Sequence, residues 1–546
     1  MSSYSRQMKW WGWGSPERRF DIKDPRGFWA HLEKSLGPLP RAEPVADLKR
    51  IVLPASRLPP TDLAALRHIV GEDGVLTSLE TRIRHALGKS YIDLLRLRKG
   101  RIPAAPDAVV FPTDENQILA VFKLAGEKDW ALIPFGGGTT VVGGVETQGN
   151  RVTITLDLQR MNRVLALDPV SRTARVQSGI QGPDLEGHLN AAGLTLGHFP
   201  QSFEFSTLGG WIATRSAGQN STKYGKIEHM VAGLRMATPG GMHTAAPVPA
   251  EAVGPSMPQC MIGSEGVLGV ITEATVRLQS LPARRAFLGY FLPDFLSGID
   301  AVRAMLQADI RPAVIRLSDP EETRLALVLG RSSPKSFKEM LLRRYLDLRG
   351  VPADTGALLI LIFEGTGPGV RAFRHKARRF CKGGVALGRQ PARLWLKSRF
   401  QHPYLRDDLL DRSVMVDTLE TATTWDRLPG LYAHVRNCLI ESITKTAPGC
   451  LVLTHLSHAY PDGASLYFTF MARQQAGQEM KQWLAVKAAA TAAILEHGGT
   501  LSHHHGIGTM HKAWMKRYLG AAGIAWLKNM KSNLDPRNIL NPGKLI

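Results

Sequence analysis

Apolar positions along this chain recur with two different periods, and the places where the period changes mark its organisation. Phe28, Trp29, Leu32 and Leu36 follow helical spacing, and further helices are expected at 61–71 and 76–99. At Val109-Val110-Phe111 the pattern shortens to an apolar run stopped by Pro112-Thr113-Asp114, after which 115–127 reads as a helix. Trp130–Pro134 has the continuous apolar character of a buried strand. Arg151–Leu158 and Thr173–Val176 alternate as strands, and Asp184–Ala192 is helical. This α+β block ends at about residue 283. From 285 to 475, strands at Phe287–Phe291, Leu358–Phe363 and Leu466–Phe470 alternate with helical stretches. Gln478–His497 and 512–531 are the last helices, and the chain ends in LDPRNILNPGKLI.

A chain of 546 residues exceeds what one hydrophobic core usually serves. The pattern divides it into a mostly helical segment (1–104), an α+β block (105–284), a second α+β domain (285–500) and a C-terminal segment (501–546). With 68 Lys+Arg against 47 Asp+Glu, the net charge of +21 favours anionic lipid surfaces, phosphorylated substrates or nucleic acid. The charge is spread over amphipathic segments such as Arg371–Lys382, and no zinc-finger or RNA-binding signature is present, so nucleic acid is not expected. Four scattered cysteines without a CxxC pair suit a reducing compartment. Without an apolar signal core or spanning run, a cytoplasmic protein is expected. Trp10, Trp11 and Trp13 with Phe28, Trp29, Leu32 and Leu36 could touch a membrane surface, although such clusters more often pack on their own domain.

Chemistry is concentrated in four places. Gly136-Gly137-Gly138 after a buried strand can turn successive N–H groups toward an anion. It is neither a Rossmann nor a Walker loop: β-branched Thr139–Val142 follow, Asp157 mimics the ribose acid only superficially because the helix is missing, and the Walker lysine is absent. FSTLGGWIATRSAG at 205–218 and GSEGVLGVIT at 263–272 are two more runs of small and hydroxyl residues, so a large diphosphate ligand touched at several points is expected. The fourth place is Ser502-His503-His504-His505-Gly506. An extended backbone would put His503 and His505 on one face and His504 on the other. No acidic or Cys ligand lies nearby in sequence, so no metal is expected and a proton-handling site or a polar loop is left.

PFGGGTT, STLGGWIATRSAG and GSEGVLGVIT resemble the FAD-binding domain of the vanillyl-alcohol-oxidase (PCMH) type flavoproteins. The resemblance implies an α+β fold: a two-subdomain FAD-binding domain, a second α+β cap domain, and helical N- and C-terminal segments. It places FAD on Pro134, Phe135, Gly136, Gly137, Gly138, Thr139 and Thr140 in the first loop. In the second loop it adds Gln201, Ser202, Phe203, Glu204, Phe205, Ser206, Thr207, Thr214, Arg215, Ser216 and Ala217. The third supplies Glu265, Gly266, Val267, Leu268, Gly269, Val270 and Ile271. Thr139 and Thr140 stand where relatives carry a flavin-linking His, so non-covalent FAD is expected.

MKWWGWG, GHFPQSFEFSTLGGW, VIRLSD, ETATTWDRL, GASLYFTF and SHHHGIG extend the resemblance, in order, to the alkylglycerone-phosphate synthase group over nearly the whole chain. That implies exchange of the acyl group of acyl-dihydroxyacetone phosphate for a fatty alcohol through a flavin N5 adduct, the ether-forming step of ether lipid synthesis. The partners implied are a lipid phosphate, a fatty alcohol and a second copy in a homodimer. Tyr467 would transfer the proton, and a phenol needs a lowered pKa or a partner to act as base near pH 7. Without the resemblance, an aromatic on a strand is the plainer reading of Tyr467. His504 would face the site, flanked by His503 and His505. Arg406 matches a phosphate-contacting Arg and could equally be a surface ion pair; Arg316 matches another required Arg and, on an apolar strand, needs a partner. This sequence departs from the group at Pro200-Gln201-Ser202, which lacks a carboxylate, and at THLSHAYPDG, where His455 and His458 appear in a segment that carries an Arg elsewhere. The tail resembles that of FAD-linked 2-hydroxyacid dehydrogenases, so an oxidoreductase on a 2-hydroxy acid is the alternative, and a non-catalytic basic binder a third reading.

Overall fold

The computed structural model describes residues 6–330, 337–352 and 354–546; the first five residues of the N-terminal segment lie outside it. Asp114 accepts the Gln117 N–H (3.0 Å) and so starts the helix Glu115–Lys128, which buries Ile118, Val121, Phe122 and Ala125. That face packs on a four-stranded sheet ordered Val75–Leu76, Ala108–Val110, Thr153–Asp157, Ala131–Phe135. The last three strands are parallel and wholly or nearly buried, which is why they read as continuous apolar runs. A five-stranded antiparallel sheet follows, ordered Val164–Asp168, Thr173–Gln177, Val270–Arg277, Val231–Thr238, Gly241–Ala245. The tail returns to the first sheet: the Leu132 N–H donates to the Ile539 carbonyl (2.7 Å), and the Asn541 N–H to that of Leu132 (2.8 Å).

The remaining large sheet has seven antiparallel strands: Val385–Gly388, Arg284–Leu292, Ala357–Gly365, Val314–Ser318, Cys450–Ala459, Gly463–Arg473 and Val414–Thr424. Side chains alternate across a strand, so each strand divides between the two faces. Leu317, Leu456, Leu466, Phe468 and Phe470 join one core with Val302, Met305, Leu431, Val435 and Trp483 from three helices. The other face therefore receives Arg316, His455 and Tyr467.

Two features differ from the sequence pattern, and a third settles a choice that it left open. The stretch 76–99 is a two-residue strand followed by two short helices, Leu79–Arg84 and Tyr91–Arg98. Ser90 starts the second through a capping box with Asp93, and the Lys89 N–H donates to the Thr140 carbonyl (2.7 Å), so the break lets the first glycine loop in. The last helix starts at Met515, after a single turn at Lys512–Trp514, and is kinked at Gly520 (φ 74°). The tryptophan cluster packs on its own domain, the commoner of the two readings its composition allowed. Trp10 and Trp13 are buried, Trp11 is half-buried, and Phe28, Leu32 and Leu36 lie in a core of their own.

The N-terminal strap is fastened by a buried ion pair, Lys9 Nζ to Asp407 (2.9 Å), and by Lys89 Nζ donating to the Lys9 carbonyl (2.8 Å). Asp407 also accepts the Trp13 N–H (3.2 Å). Removing one charge of such a pair leaves the other buried alone, at a cost of about 3–5 kcal/mol. Asp407→Asn is expected to lower the melting temperature and to open the chain to trypsin at Lys9; unchanged proteolysis would show the strap to be held by the tryptophans alone.

Candidate functional site

His455, Tyr467 and Glu420 occupy one rung across three neighbouring strands, since Tyr467 pairs with His455 on one side and with Glu420 on the other. The His455 ring stacks on Tyr467 (4.9 Å between centroids). Glu420 grips the histidine loop. It accepts the backbone N–H groups of His503 (2.6 Å), His504 (3.1 Å) and His505 (2.9 Å) and the Ser502 hydroxyl (2.6 Å). Convergence of three consecutive N–H groups on one carboxylate curls the backbone, so the extended-segment expectation fails and all three rings gather on one side. His504 is central: its ring centroid lies 4.7 Å from His505, 5.0 Å from His458 and 6.1 Å from Tyr467.

His458 joins from a β-bulge after Ser457, in left-handed backbone (φ 47°), with its Nδ1 2.7 Å from the Ser221 hydroxyl. Lys226 Nζ donates to the His503 carbonyl (2.6 Å), and Tyr460 OH lies 3.0 Å from His503 Nε2.

Ligand atoms of Glu420, His503 and His504 come within 4.8 Å of one another, an acidic neighbour that the local sequence did not reveal. The Glu420 oxygens are, however, already engaged by four donors, which suits a loop anchor better than a metal ligand.

Burial sets the protonation states. It pushes His503 down to about 3, His504 and His458 well below their ordinary value, and His505 and His455 down as well. The imidazoles are therefore neutral at pH 7. Burial also pushes the Tyr467 phenol up to about 12, with Arg406 opposing, so Tyr467 holds its proton. Burial works against ionisation of Glu420, yet His504, His505, His503 and the Ser502 hydroxyl keep its carboxyl well below the usual range.

Both arginines are placed by the same logic. Arg316 pairs with Glu322 (2.7 Å), and the same Glu322 oxygen lies 3.1 Å from His455 Nδ1. Burial alone would raise Glu322, but Arg316 and His455 hold it far below the usual carboxylate range. Arg406 is not a surface ion pair. Its neighbour Asp407 is committed to Lys9 and Trp13, its Nε and Nη2 have no hydrogen-bond partner among the described residues, and its guanidinium lies 5.9 Å from the Trp13 ring.

The three glycine loops meet. A Cβ on Gly137 would overlap the Phe205 carbonyl, and one on Gly266 (φ 75°) would press on Pro134, so both positions need glycine. Gly136, Gly137, Gly138, Thr139 and Thr140 remain half-exposed beside the second loop, a crevice of backbone N–H groups and hydroxyls suited to a dinucleotide. Thr207 caps the helix Leu208–Ala213 through the Gly210 N–H, while the Leu208 and Gly209 N–H groups donate to the Ile180 (3.0 Å) and Ser178 (2.7 Å) carbonyls.

Several residues expected at the cofactor use their side chains elsewhere. Glu265 accepts the Ile507 (2.6 Å) and Gly508 (2.8 Å) N–H groups, with burial raising it to about 7. Glu204 pairs with Arg18 (2.6 Å), Gln201 donates to the Arg399 carbonyl (2.5 Å), and Arg215 (φ 52°) pairs with Glu228 (3.6 Å). Ser206 accepts the Trp211 indole N–H (2.7 Å), and Ser216 lies 3.2 Å from His198. Phe203, Leu268 and Ile271 belong to the core of the five-stranded sheet, Val270 to that of the parallel sheet, and Val267 packs with Leu501. These residues can offer a ligand backbone more readily than side chain. Asp157, the apparent ribose acid, lies 3.0 Å from His85 Nε2. Glu420, Glu322, Lys226 and Trp13 were not singled out as site residues. Only the ETATTWDRL and MKWWGWG motifs touched two of them.

Residues 106–246 match the family described as "FAD binding domain", and residues 281–545 match "FAD linked oxidases, C-terminal domain". Fold and site thus define an FAD-dependent flavoprotein with a cap sheet over the cofactor crevice. p-Cresol methylhydroxylase shares that fold, with a TM-score of 0.69 over 90% of this chain and 98% of the other at 16% identity. The alkyldihydroxyacetonephosphate synthase of Dictyostelium discoideum is 33% identical over 99% of this chain and 94% of its own. That of Trypanosoma brucei brucei is 34% identical over 94% and 85%. A solved alkyldihydroxyacetonephosphate synthase structure matches with a TM-score of 0.85 at 31% identity over 99% of both chains. The chain belongs to the alkyldihydroxyacetonephosphate synthase family.

Because the clustered histidines have lowered pKa values in the fold, the unfolded chain binds protons that the folded one refuses once the pH drops below about 6.5. Their contribution to stability is present above that pH and is lost as the pH falls through it. Glu265, raised by burial, runs the other way, so the effect is read by difference. The wild-type melting temperature is expected to fall more steeply from pH 7.5 to 5 than that of a His503→Gln, His504→Gln variant; parallel curves would place the titrating groups elsewhere.

Proposed function

We propose that this chain exchanges the acyl group of acyl-dihydroxyacetone phosphate for a fatty alcohol, with FAD bound non-covalently in the crevice of the three loops. What carries the reading is one arrangement: a guanidinium with two nitrogens that have no hydrogen-bond partner among the described residues, within electrostatic reach of Tyr467 in a cluster of neutral acid and base groups. Arg406 presents Nε and Nη2 in the fork geometry that suits a phosphate dianion. Replacing an ester oxygen next to a ketone needs removal of a C–H proton, departure of a carboxylate and deprotonation of the incoming alcohol, with no net redox change. A neutral imidazole can take each proton and return the first to carbon. Tyr467, protonated at neutral pH, is the hydrogen-bond donor of the set rather than a free-standing base. Bound FAD supplies an electron-accepting ring against which the substrate carbon is held. His455 is oriented by Glu322, which fixes Nδ1 and leaves Nε2 for proton transfer, and Arg316 keeps that carboxylate ionised. Hydroxy-acid oxidation is the lesser fit, because the family relatives at more than 30% identity are synthases.

Anaerobic mixing with acyl-dihydroxyacetone phosphate is expected to bleach the flavin and release fatty acid, and added fatty alcohol to yield the alkyl product. Reduction by a D-2-hydroxy acid with turnover to an electron acceptor would overturn the assignment. Tyr467→Phe and His504→Ala should each lower turnover by about 10²–10⁴-fold with FAD still bound; loss of flavin would mean a structural role. Arg406→Ala should weaken the phosphate substrate by about 10–100-fold, mainly in KM; an unchanged KM would remove it from the phosphate site.

A second measurement isolates the dyad. The Glu322 charge raises His455, so Glu322→Gln should move the acid limb of the pH–turnover profile to lower pH. A drop in activity without any shift would mean that His455 carries no proton in the reaction.

A further inference from the structure

Two nitrogens that face each other in the histidine loop constrain one another. His503 Nδ1 lies 3.1 Å from His504 Nδ1, so in neutral rings one of the two carries the proton and the other the lone pair. A neutral imidazole that donates through one nitrogen accepts through the other, and the choice is therefore passed across each ring. On the far side of His503, Nε2 lies 3.0 Å from the Tyr460 hydroxyl. The Ser221 hydroxyl is the next hydrogen-bonding neighbour of that phenol, and it lies 2.7 Å from His458 Nδ1. Five groups from three separate parts of the chain thus stand in a row: His504, His503, Tyr460, Ser221 and His458. The row bends back on itself, because the His504 and His458 ring centroids are only 5.0 Å apart. With each Nδ1 engaged, the Nε2 atoms of His504 and His458 are its two ends. Burial keeps the three imidazoles neutral and the Tyr460 phenol protonated, so every member can accept on one side and donate on the other. His458 comes from the segment in which this sequence departs from its group.

We propose that these five groups form a proton relay that keeps one base and one acid at the site together, with His504 and His458 as its ends and Tyr460 and Ser221 as its links. An unbroken row has two orders. In one, His504 Nδ1 donates to His503, His503 Nε2 to Tyr460, Tyr460 to Ser221 and Ser221 to His458 Nδ1. His504 Nε2 is then a lone pair and His458 Nε2 carries a proton. In the other order every donor reverses, and the ends exchange roles. The relay rests on the acyl–alkyl exchange proposed above, which needs both functions in each half. A proton taken from carbon by His504 Nε2 moves the Nδ1 proton to His503, the His503 Nε2 proton to Tyr460, that of Tyr460 to Ser221 and that of Ser221 to His458 Nδ1. The His458 Nε2 proton leaves with the departing carboxylate. One proton enters, one leaves, and no member is left charged. The row then stands in its other order, ready for His458 to deprotonate the alcohol while His504 returns a proton to carbon.

Nitrogen-15 NMR of the FAD-loaded full chain with labelled histidine, recorded without substrate, reads the tautomers directly. His504 and His458 are expected as complementary neutral tautomers, the Nδ1–H fractions of the two rings summing to one even if the row flips rapidly. The same tautomer at both ends, or a protonated ring at pH 7, would overturn the relay. Tyr460→Phe and Ser221→Ala break the row at different links without touching its ends. Each should cut turnover by about 10²-fold with KM and flavin content nearly unchanged, and each should straighten the curved dependence of rate on solvent deuterium fraction that several moving protons produce. Wild-type turnover in either variant, or a straight dependence in the wild type, would reduce these hydrogen bonds to positioning. If Ser221→Ala loses its flavin, Tyr460→Phe decides. The tautomer measurement needs no substrate, so complementary tautomers in a protein without acyl–alkyl exchange would remove the reaction and leave the ordered row standing.

Discussion

A turn of seven residues, Ser502 to Gly508, is held at both ends by carboxylates from different parts of the chain, and the site depends on that clasp. Glu420, from the cap sheet, takes the N–H groups of the three histidines, while Glu265, from the third glycine loop, takes those of Ile507 and Gly508. Buried N–H groups must be paired, and here the pairing decides where the three imidazoles of the loop sit relative to the cofactor crevice. The loop is thereby a joint between the cap sheet and the FAD-binding domain as well as a wall of the site.

The interior around it is polar but mostly uncharged, which is what acid–base exchange without redox requires. Burial keeps the imidazoles neutral and the Tyr467 phenol protonated, so acceptors and a donor coexist at the same pH. Buried charges here have partners: Arg316 pairs with Glu322, Lys9 with Asp407 and Lys226 with Glu228, while Glu420 is met by backbone N–H groups and a hydroxyl. Arg406 differs, because two of its nitrogens have no hydrogen-bond partner among the described residues. An arginine with two buried, unpartnered nitrogens is costly in isolation, and that cost is the physical argument for an anionic ligand at this position.

Much of the framework was legible in the sequence because it is local. The strand Gly463–Arg473 alternates Leu466, Tyr467, Phe468, Thr469, Phe470, and period two alone separates Tyr467 from the residues that face the helices. Glycine runs announced three loops because only glycine permits their close approach. The break within 76–99 was hidden: apolar spacing continues through it, and the reason for the break is the carbonyl of Thr140 in another loop. The tryptophans of the N-terminus have a composition that suits a membrane-facing cluster or, more often, packing on their own domain, and their burial within the strap decides for packing.

By itself the sequence determined element types, the faces of the strands, the glycine loops and the family, since each follows from spacing or from motifs read in order. Tertiary structure decided which groups meet. Glu420 is more than eighty residues from the loop it anchors, and Glu322 more than one hundred from the imidazole it orients. No local pattern encodes such pairings, because a buried carboxylate finds its donors through the packing of sheets and loops rather than through spacing along the chain. The same packing gathered His503, His504 and His505 on one side, where an extended strand would have parted them.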